Sequence, residues 1–255
     1  MTELATRTVA FFRDNLPSGN LLTLGTLPAF AWALTCLTLA GYLKTRRGWR
    51  TGYTRKVFHF LIFGSVVAIQ ALYGIRGVCL FGAATSVVVF WAVLQGDGYP
   101  LYEAMAREKD APHRTYFILT PYLATLIGGL TASILFGHGA MVGFLVTGLG
   151  DAIGEPVGTR FGRHPYRVPA PRGVVATRTW DGSAAVFTAC LIALVIAVWL
   201  IPAYRTSGSS LAWLPALALV STAVEAIAPH GWDNALLQIV PSWLAWLTLG
   251  PGGAA

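Results

Sequence analysis

The densest chemistry in the chain lies in Gly148-Leu-Gly-Asp151-Ala-Ile-Gly-Glu155-Pro-Val-Gly-Thr-Arg-Phe-Gly-Arg163. Asp151 and Glu155 are four residues apart, so on a helix both carboxylates leave the same face. Two carboxylates one turn apart suit a hard cation such as Mg²⁺, which takes oxygen ligands and keeps waters or phosphates in its other positions. Gly150, Gly154, Gly158 and Gly162 recur every four residues. They form a smooth ridge that a neighbouring backbone or a ligand can approach closely. Glycines alone favour helix packing, and the two acids move the reading to a binding site. Pro156 is expected to break or kink the helix and free backbone carbonyls.

The loop that follows supplies Arg160, Arg163, His164, Arg167, Arg172 and Arg178. Five arginines without a lysine, next to a carboxylate pair, suit a bidentate grip on phosphate oxygens. The loop ends in Arg178-Thr179-Trp-Asp181-Gly182 at the start of the next apolar run. Thr179 can cap that helix, and a helix start offers N–H groups to an anion. Metal, arginines and helix N-terminus together describe a polyphosphate site. The segment lacks G-x-x-x-x-G-K-[ST] and is therefore no P-loop.

Two further clusters hold charge near an apolar run. Arg55, Lys56 and His59 open one run at helical spacing, and the trio either holds a phosphate or is structural. Glu225 and the Asp233-Asn234 pair flank a short turn, where they offer further ligands or a base.

The elements that must position these groups are transmembrane helices. Hydrophobic residues make up 55% of the 255 and charged ones 11%, against about 25% charged in a soluble domain. The mean hydropathy is +0.60. A soluble, disordered or disulfide-rich secreted chain is excluded. Apolar runs fall at 21–43, 57–73, 77–95, 116–136, 141–158, 182–203, 211–228 and 234–249. This predicts an all-α, polytopic bundle of seven or eight spans, the lower number applying if the last run lies in the interface. A short segment, 1–20, precedes a single membrane domain over 21–249, and a Gly/Ala tail covers 250–255.

With the N-terminus outside, the inward loops 44–56, 96–115, 159–181 and 229–233 carry 6, 3, 5 and 0 Lys+Arg, and the outward segments carry the other 4 of 18. The positive-inside rule selects that orientation and explains the net charge of +7 without a nucleic-acid partner. Glu103, Glu108 and Asp110 are expected on a solvated loop. Asp97, Asp151, Glu155, Asp181, Glu225 and Asp233 all lie at or near the inner face, and acids within spans are usually functional. Cys36, Cys79 and Cys190 fall inside runs without C-x-x-C spacing and read as packing residues.

Arg55-Lys56-x-x-His59, Gly150-Asp151-x-x-Gly154, Gly158-Thr-Arg-Phe-Gly162, Arg178-Thr179-x-Asp181-Gly182 and Glu225…Asp233-Asn234 stand in an order that resembles the polyprenol kinases. That family includes phytol, farnesol and dolichol kinases and CTP-dependent diacylglycerol kinases. The resemblance covers about residues 55 to 240. Two features depart from it: the family usually has Lys-Ser/Thr-x-Glu-Gly where this chain has Arg178 and Asp181, and Glu155-Pro156 is not general.

The resemblance implies transfer of the γ-phosphoryl group of CTP to a membrane isoprenoid alcohol such as phytol, farnesol, geranylgeraniol or dolichol, with Mg²⁺ as cofactor and the site at the cytoplasmic face. It implies Mg²⁺ on Asp151 supported by Glu155, and phosphates on Arg160, Arg163 and Arg178. Asp181, Glu225 and Asp233 are rivals for a second ligand or the base. Phosphatidate cytidylyltransferases share a similar arrangement, so a CDP-lipid synthase is the alternative. A transporter or scaffold using the acids for ion coupling is a third reading, and a homo-oligomer through the glycine ridge is open.

Overall fold

Apolar runs of this length satisfy their backbone groups internally as helices. The computed structural model describes residues 3–173, 175–205 and 210–250. The chain forms two units, Met1–Ala111 and Pro112–Ala255. Its helices follow all eight apolar runs. By length and composition, four helical stretches can cross a membrane: Gly19–Thr45, Thr51–Gln95, Arg114–Phe161 and Trp180–Leu200. The Gly/Ala tail beyond Gly250 lies outside the described residues.

In the first unit, α1 (Glu3–Asn15) occupies most of the expected N-terminal segment and buries Phe11. Arg76 donates from Nε to the Asp14 carbonyl at 2.9 Å and ties the end of α1 down. Ser18 caps α2 (Gly19–Thr45) by accepting from the Leu21 N–H. The next helical stretch, α3 (Thr51–Gln95), is interrupted at Gly74, whose φ of 68° and ψ of −167° are not helical. A Cβ on Gly77 would meet Ile69 Cγ2 at 2.8 Å, although eight residues of straight helix span about 12 Å. The stretch is therefore two arms that fold back at Gly74, matching the separate runs at 57–73 and 77–95. Trp32 donates to Ser65 Oγ at 2.8 Å and fastens α2 to the first arm.

The segment after α3 corrects one expectation. Beyond α4 (Pro100–Glu103), Asp110 is only 1% exposed and pairs with Arg107 at 2.8 Å. Glu108 pairs with Lys44. Asp110 is therefore a buried counter-ion rather than part of a solvated face, whereas Glu108 is exposed as expected.

The second unit begins with α5 (Arg114–Phe136), a 3₁₀ turn, and α6 (Ala140–Val146). A π-helical turn over Thr147–Asp151 leads into α7 (Ala152–Phe161). There follow β1 (Pro165–Val168), β2 (Ala176–Thr179), α8 (Trp180–Leu200), α9 (Pro202–Arg205), α10 (Ser210–Ile227) and α11 (Asp233–Thr248). The antiparallel β1–β2 hairpin is absent from the all-α expectation. It forms outside the apolar runs, where Arg172 and Gly173 reverse the chain with φ of 60° and 69°.

Helix α11 lies against α5 and α6. The Gly143 N–H donates to Ser242 Oγ at 3.1 Å, and Gln238 donates to the Thr125 carbonyl at 3.1 Å. A Cβ on Gly128 would lie 2.6 Å from Ala235 Cα, so glycine is what permits that approach.

Candidate active site

Asp151 ends the π-helical turn and is buried. A π turn inserts a residue into the helical ladder and often occurs at functional positions. The sequence places a break at Pro156, but α7 runs unbroken from Ala152 to Phe161. The proline ring presses on the carbonyl four residues back, that of Ala152, and the irregularity lies just ahead of that residue. Glu155 is half-buried on the following turn.

The glycine ridge faces α8. A Cβ on Gly150 would meet Cys190 Sγ at 2.8 Å, and one on Gly154 would meet Val186 Cγ2 at 2.7 Å. On Gly158 and Gly162 it would meet Thr179 Oγ1 at 2.7 Å. In return, a Cβ on Gly182 would lie 3.0 Å from the Gly154 carbonyl oxygen. The smooth side of the ridge is therefore met by a neighbouring helix, the first of the two approaches, backbone or ligand, that its glycines allow. The ridge brings α7 and α8 together, with Gly158 at the start of α8 and Gly150, next to Asp151, at Cys190 halfway along it.

That start is largely satisfied by its own chain. Thr179 caps α8, its Oγ1 accepting from the Gly182 N–H at 3.0 Å. The Trp180 N–H donates to the His164 carbonyl at 3.2 Å. The cap appears as expected, but these amides are not available to an anion. Asp181 is also engaged, with Oδ2 accepting from the Arg163 N–H at 2.8 Å. It closes the junction between α7 and the hairpin.

The centre of the site is Arg178. Its Nε lies 2.6 Å from Glu225 Oε1 and its Nη2 lies 2.9 Å from Asp233 Oδ2. Its Nη1 donates to the Ala228 carbonyl at 3.2 Å. Burial works against its charge, but the fields of Glu225, Asp233 and Asp151 outweigh that cost and hold the guanidinium above the usual arginine value. The residue expected on phosphate is thus clasped by two acids expected in catalysis. The arrangement needs the arginine fork, since a lysine ammonium does not present three donors in one plane.

Strand register brings in a group that sequence reasoning missed. Tyr166 pairs with Arg178, so the two side chains leave the same face of the hairpin. The Tyr166 hydroxyl lies 2.7 Å from Ser183 Oγ, and its ring is 5.5 Å from that of Trp180. Burial raises the Tyr166 phenol above its ordinary value. Ser183 and Arg178 oppose that shift, and Glu225 adds to it. The signal was the short Pro-Tyr-Arg-Val and Ala-Thr-Arg-Thr segments around Pro171-Arg172-Gly173, a turn-flanked pattern that reads as a hairpin.

The remaining candidates are distributed. Arg160 and Arg163 are exposed, and Arg160 lies 5.4 Å over the Phe161 ring. Arg172 lies 4.1 Å over Tyr116. Asn234 donates to Thr125 Oγ1 at 2.8 Å, securing α11 to α5. Arg55, Lys56 and His59 belong to the first unit. There Lys56 is buried, Arg55 is half-buried, and the His59 ring lies 4.5 Å from that of Phe63.

Among the described residues, no group of three or more His, Cys, Asp or Glu forms a metal cage. The donor set suits a cation that arrives with a polyphosphate, because Mg²⁺ is commonly held by one or two carboxylates and substrate phosphates.

Over 193 residues the chain is 26% identical to a phytol kinase of Synechocystis sp. (strain ATCC 27184 / PCC 6803 / Kazusa), covering 76% of this chain and 78% of that protein. No protein-family model matches the chain. No solved structure matches it either.

Proposed function

We propose that this chain is a multi-pass membrane lipid kinase that transfers the γ-phosphoryl group of CTP to an isoprenoid alcohol. Phytol, farnesol, geranylgeraniol and dolichol define the acceptor class. The observation that carries this reading is the gathering of Glu225 and Asp233 on Arg178, within the field of Asp151. The likeness to a phytol kinase agrees with it.

Phosphoryl transfer depends mainly on positioning and charge neutralisation. Arg160 and Arg163 hold the nucleotide phosphates, and Asp181 orders Arg163 through its backbone. Asp151 and Glu155 hold Mg²⁺, which neutralises charge on the phosphate oxygens when bound. The acceptor hydroxyl oxygen forms a bond to the γ-phosphorus as the bond to the β–γ bridging oxygen breaks. The hydroxyl proton passes to Glu225, and the nucleoside diphosphate leaves. Arg178 and Asp233 keep the Glu225 carboxylate in place, so Arg178 acts as a positioning residue.

The level of the site in the bilayer supports a lipid acceptor. Trp180 and Trp199, 69% and 68% exposed, stand at the two ends of α8. They are separated by about 28 Å of helix, close to the ~30 Å hydrocarbon core. Tryptophans favour the two interfaces, so Trp180 sets Arg178 and Asp181 at headgroup level. The loop on that side, 159–181, carries five arginines, so the positive-inside rule makes it the cytoplasmic face.

The test uses purified protein, Mg²⁺, a mixture of prenols, and CTP labelled separately at the α and γ positions. Transfer of γ-label to the lipid phase, lost in Asp151→Ala, is the expected result. Transfer of α-label on adding phosphatidate would replace this reading with a cytidylyltransferase. Folded protein that transfers neither label from any nucleotide would refute the kinase.

A further inference from the structure

We infer that the Tyr166–Ser183 hydroxyl pair is the docking point for the hydroxyl of a long-chain lipid alcohol, placed between the membrane edge and the Arg178–Glu225 ion pair. The inference deepens the lipid-kinase reading and rests on it for the identity of the acceptor.

The two oxygens are 2.7 Å apart, with Ser183 buried and Tyr166 half-buried. Each hydroxyl can donate once and accept twice, so one hydrogen bond between them leaves a donor and several lone pairs to spare. An incoming alcohol needs this neutral combination of one donor and one acceptor. An anionic headgroup would be served instead by the exposed arginines.

Position supplies the second argument. On one side, the Tyr166 ring lies 5.5 Å from the ring of Trp180. Trp180 starts an exposed stripe on α8 that continues through Ile192, Val195 and Trp199, as a lipid-facing surface would. On the other side, strand register puts Tyr166 opposite Arg178, which binds Glu225 at 2.6 Å. An alcohol whose chain stays in hydrocarbon beside Trp180 thus reaches the hydroxyl pair with its head turned toward the carboxylate.

The pair also pins the hairpin to α8, and the experiment must separate the two roles. Binding of geranylgeraniol and of its methyl ether is measured on the full chain in phosphatidylcholine nanodiscs, without nucleotide. The wild type is expected to prefer the alcohol by about tenfold, the worth of one good hydrogen bond. Tyr166→Phe and Ser183→Ala are each expected to reduce that preference to within about twofold, and Ser183→Thr to retain it. In the transfer assay the same variants should raise KM for the alcohol and leave KM for CTP unchanged.

A wild type that does not distinguish alcohol from ether overturns the inference. So do variants that melt at lower temperature but keep the preference. If one variant fails to fold, the other two decide the matter. Alcohol preference that depends on the pair, in a protein that transfers no phosphate, would sustain the subsite and sink the kinase.

Discussion

Arg178 Nε lies 2.6 Å from Glu225 Oε1, joining the second strand of the hairpin to the end of α10 in a largely buried ion pair. Asp233, at the start of α11, completes the clasp at 2.9 Å. One side chain thereby fixes three elements relative to each other, and it does so with the carboxylates that the proposed reaction needs.

Removing that side chain leaves two carboxylates without their shared counter-ion. Arg178→Ala is expected to destabilise the protein by about 3–5 kcal/mol, the cost of breaking a buried pair. Arg178→Lys keeps the charge and loses the fork, so it should melt closer to wild type while transfer falls by about tenfold or more. Thermal melting in detergent alongside the labelled-CTP assay checks both. Full activity in Arg178→Lys would show that the fork is dispensable.

The glycine ridge predicts a graded response to a single methyl group. Gly158→Ala drives a Cβ against Thr179 Oγ1 at 2.7 Å and disturbs the cap of α8. A loss of about 1–3 kcal/mol is expected from overpacking. Gly64 has open space where its Cβ would be, so Gly64→Ala should be neutral or slightly stabilising, because alanine is the better helix former. Equal melting temperatures for the two variants would refute the close α7–α8 crossing.

Burial pushes the Tyr204 phenol up to about 12. The unfolded phenol ionises near 10, so the folded state holds its proton over the interval from 10 to 12. Its stabilising contribution is complete below pH 10 and is lost as pH rises through 12. Tyr204→Phe should therefore flatten the decline in melting temperature between pH 9.5 and about 12. An unchanged slope would count against burial of the phenol.

Spin labels placed by Trp180→Cys and Trp199→Cys should both report interfacial depth, one at each leaflet. A membrane-impermeant thiol reagent added to sealed, right-side-out vesicles is expected to reach position 199 and not position 180. Reaction at 180 alone would invert the orientation. A mid-bilayer signal at either position would end the argument for the level of the site.

Much of the helical framework was legible because hydropathy and helical period are properties of contiguous residues. The reversal at Gly74 falls between two runs already separate in the sequence, and Thr179 caps the helix that its type predicts. The hairpin was missed because positive charge in residues 159–181 has an explanation in membrane orientation alone, which masked the short alternating strands. Asp110 was misread because its acid type suggests solvent, while its counter-ion, Arg107, was already three residues away.

The sequence by itself determined that the chain is apolar enough for a membrane, which stretches form its apolar helices, and that acids and arginines concentrate near a few helix ends. Only the tertiary structure decided that the glycines meet α8, that Asp181 serves the Arg163 backbone, and that Tyr166 meets Ser183. It also decided that Arg178 clasps Glu225 and Asp233 rather than standing open to phosphate. The reason is physical: burial preference and helix period act along the chain, whereas an ion-pair partner is chosen by the packing of helices distant in sequence. Once two acids enter a largely buried space, the field there retains the arginine whose fork can reach both.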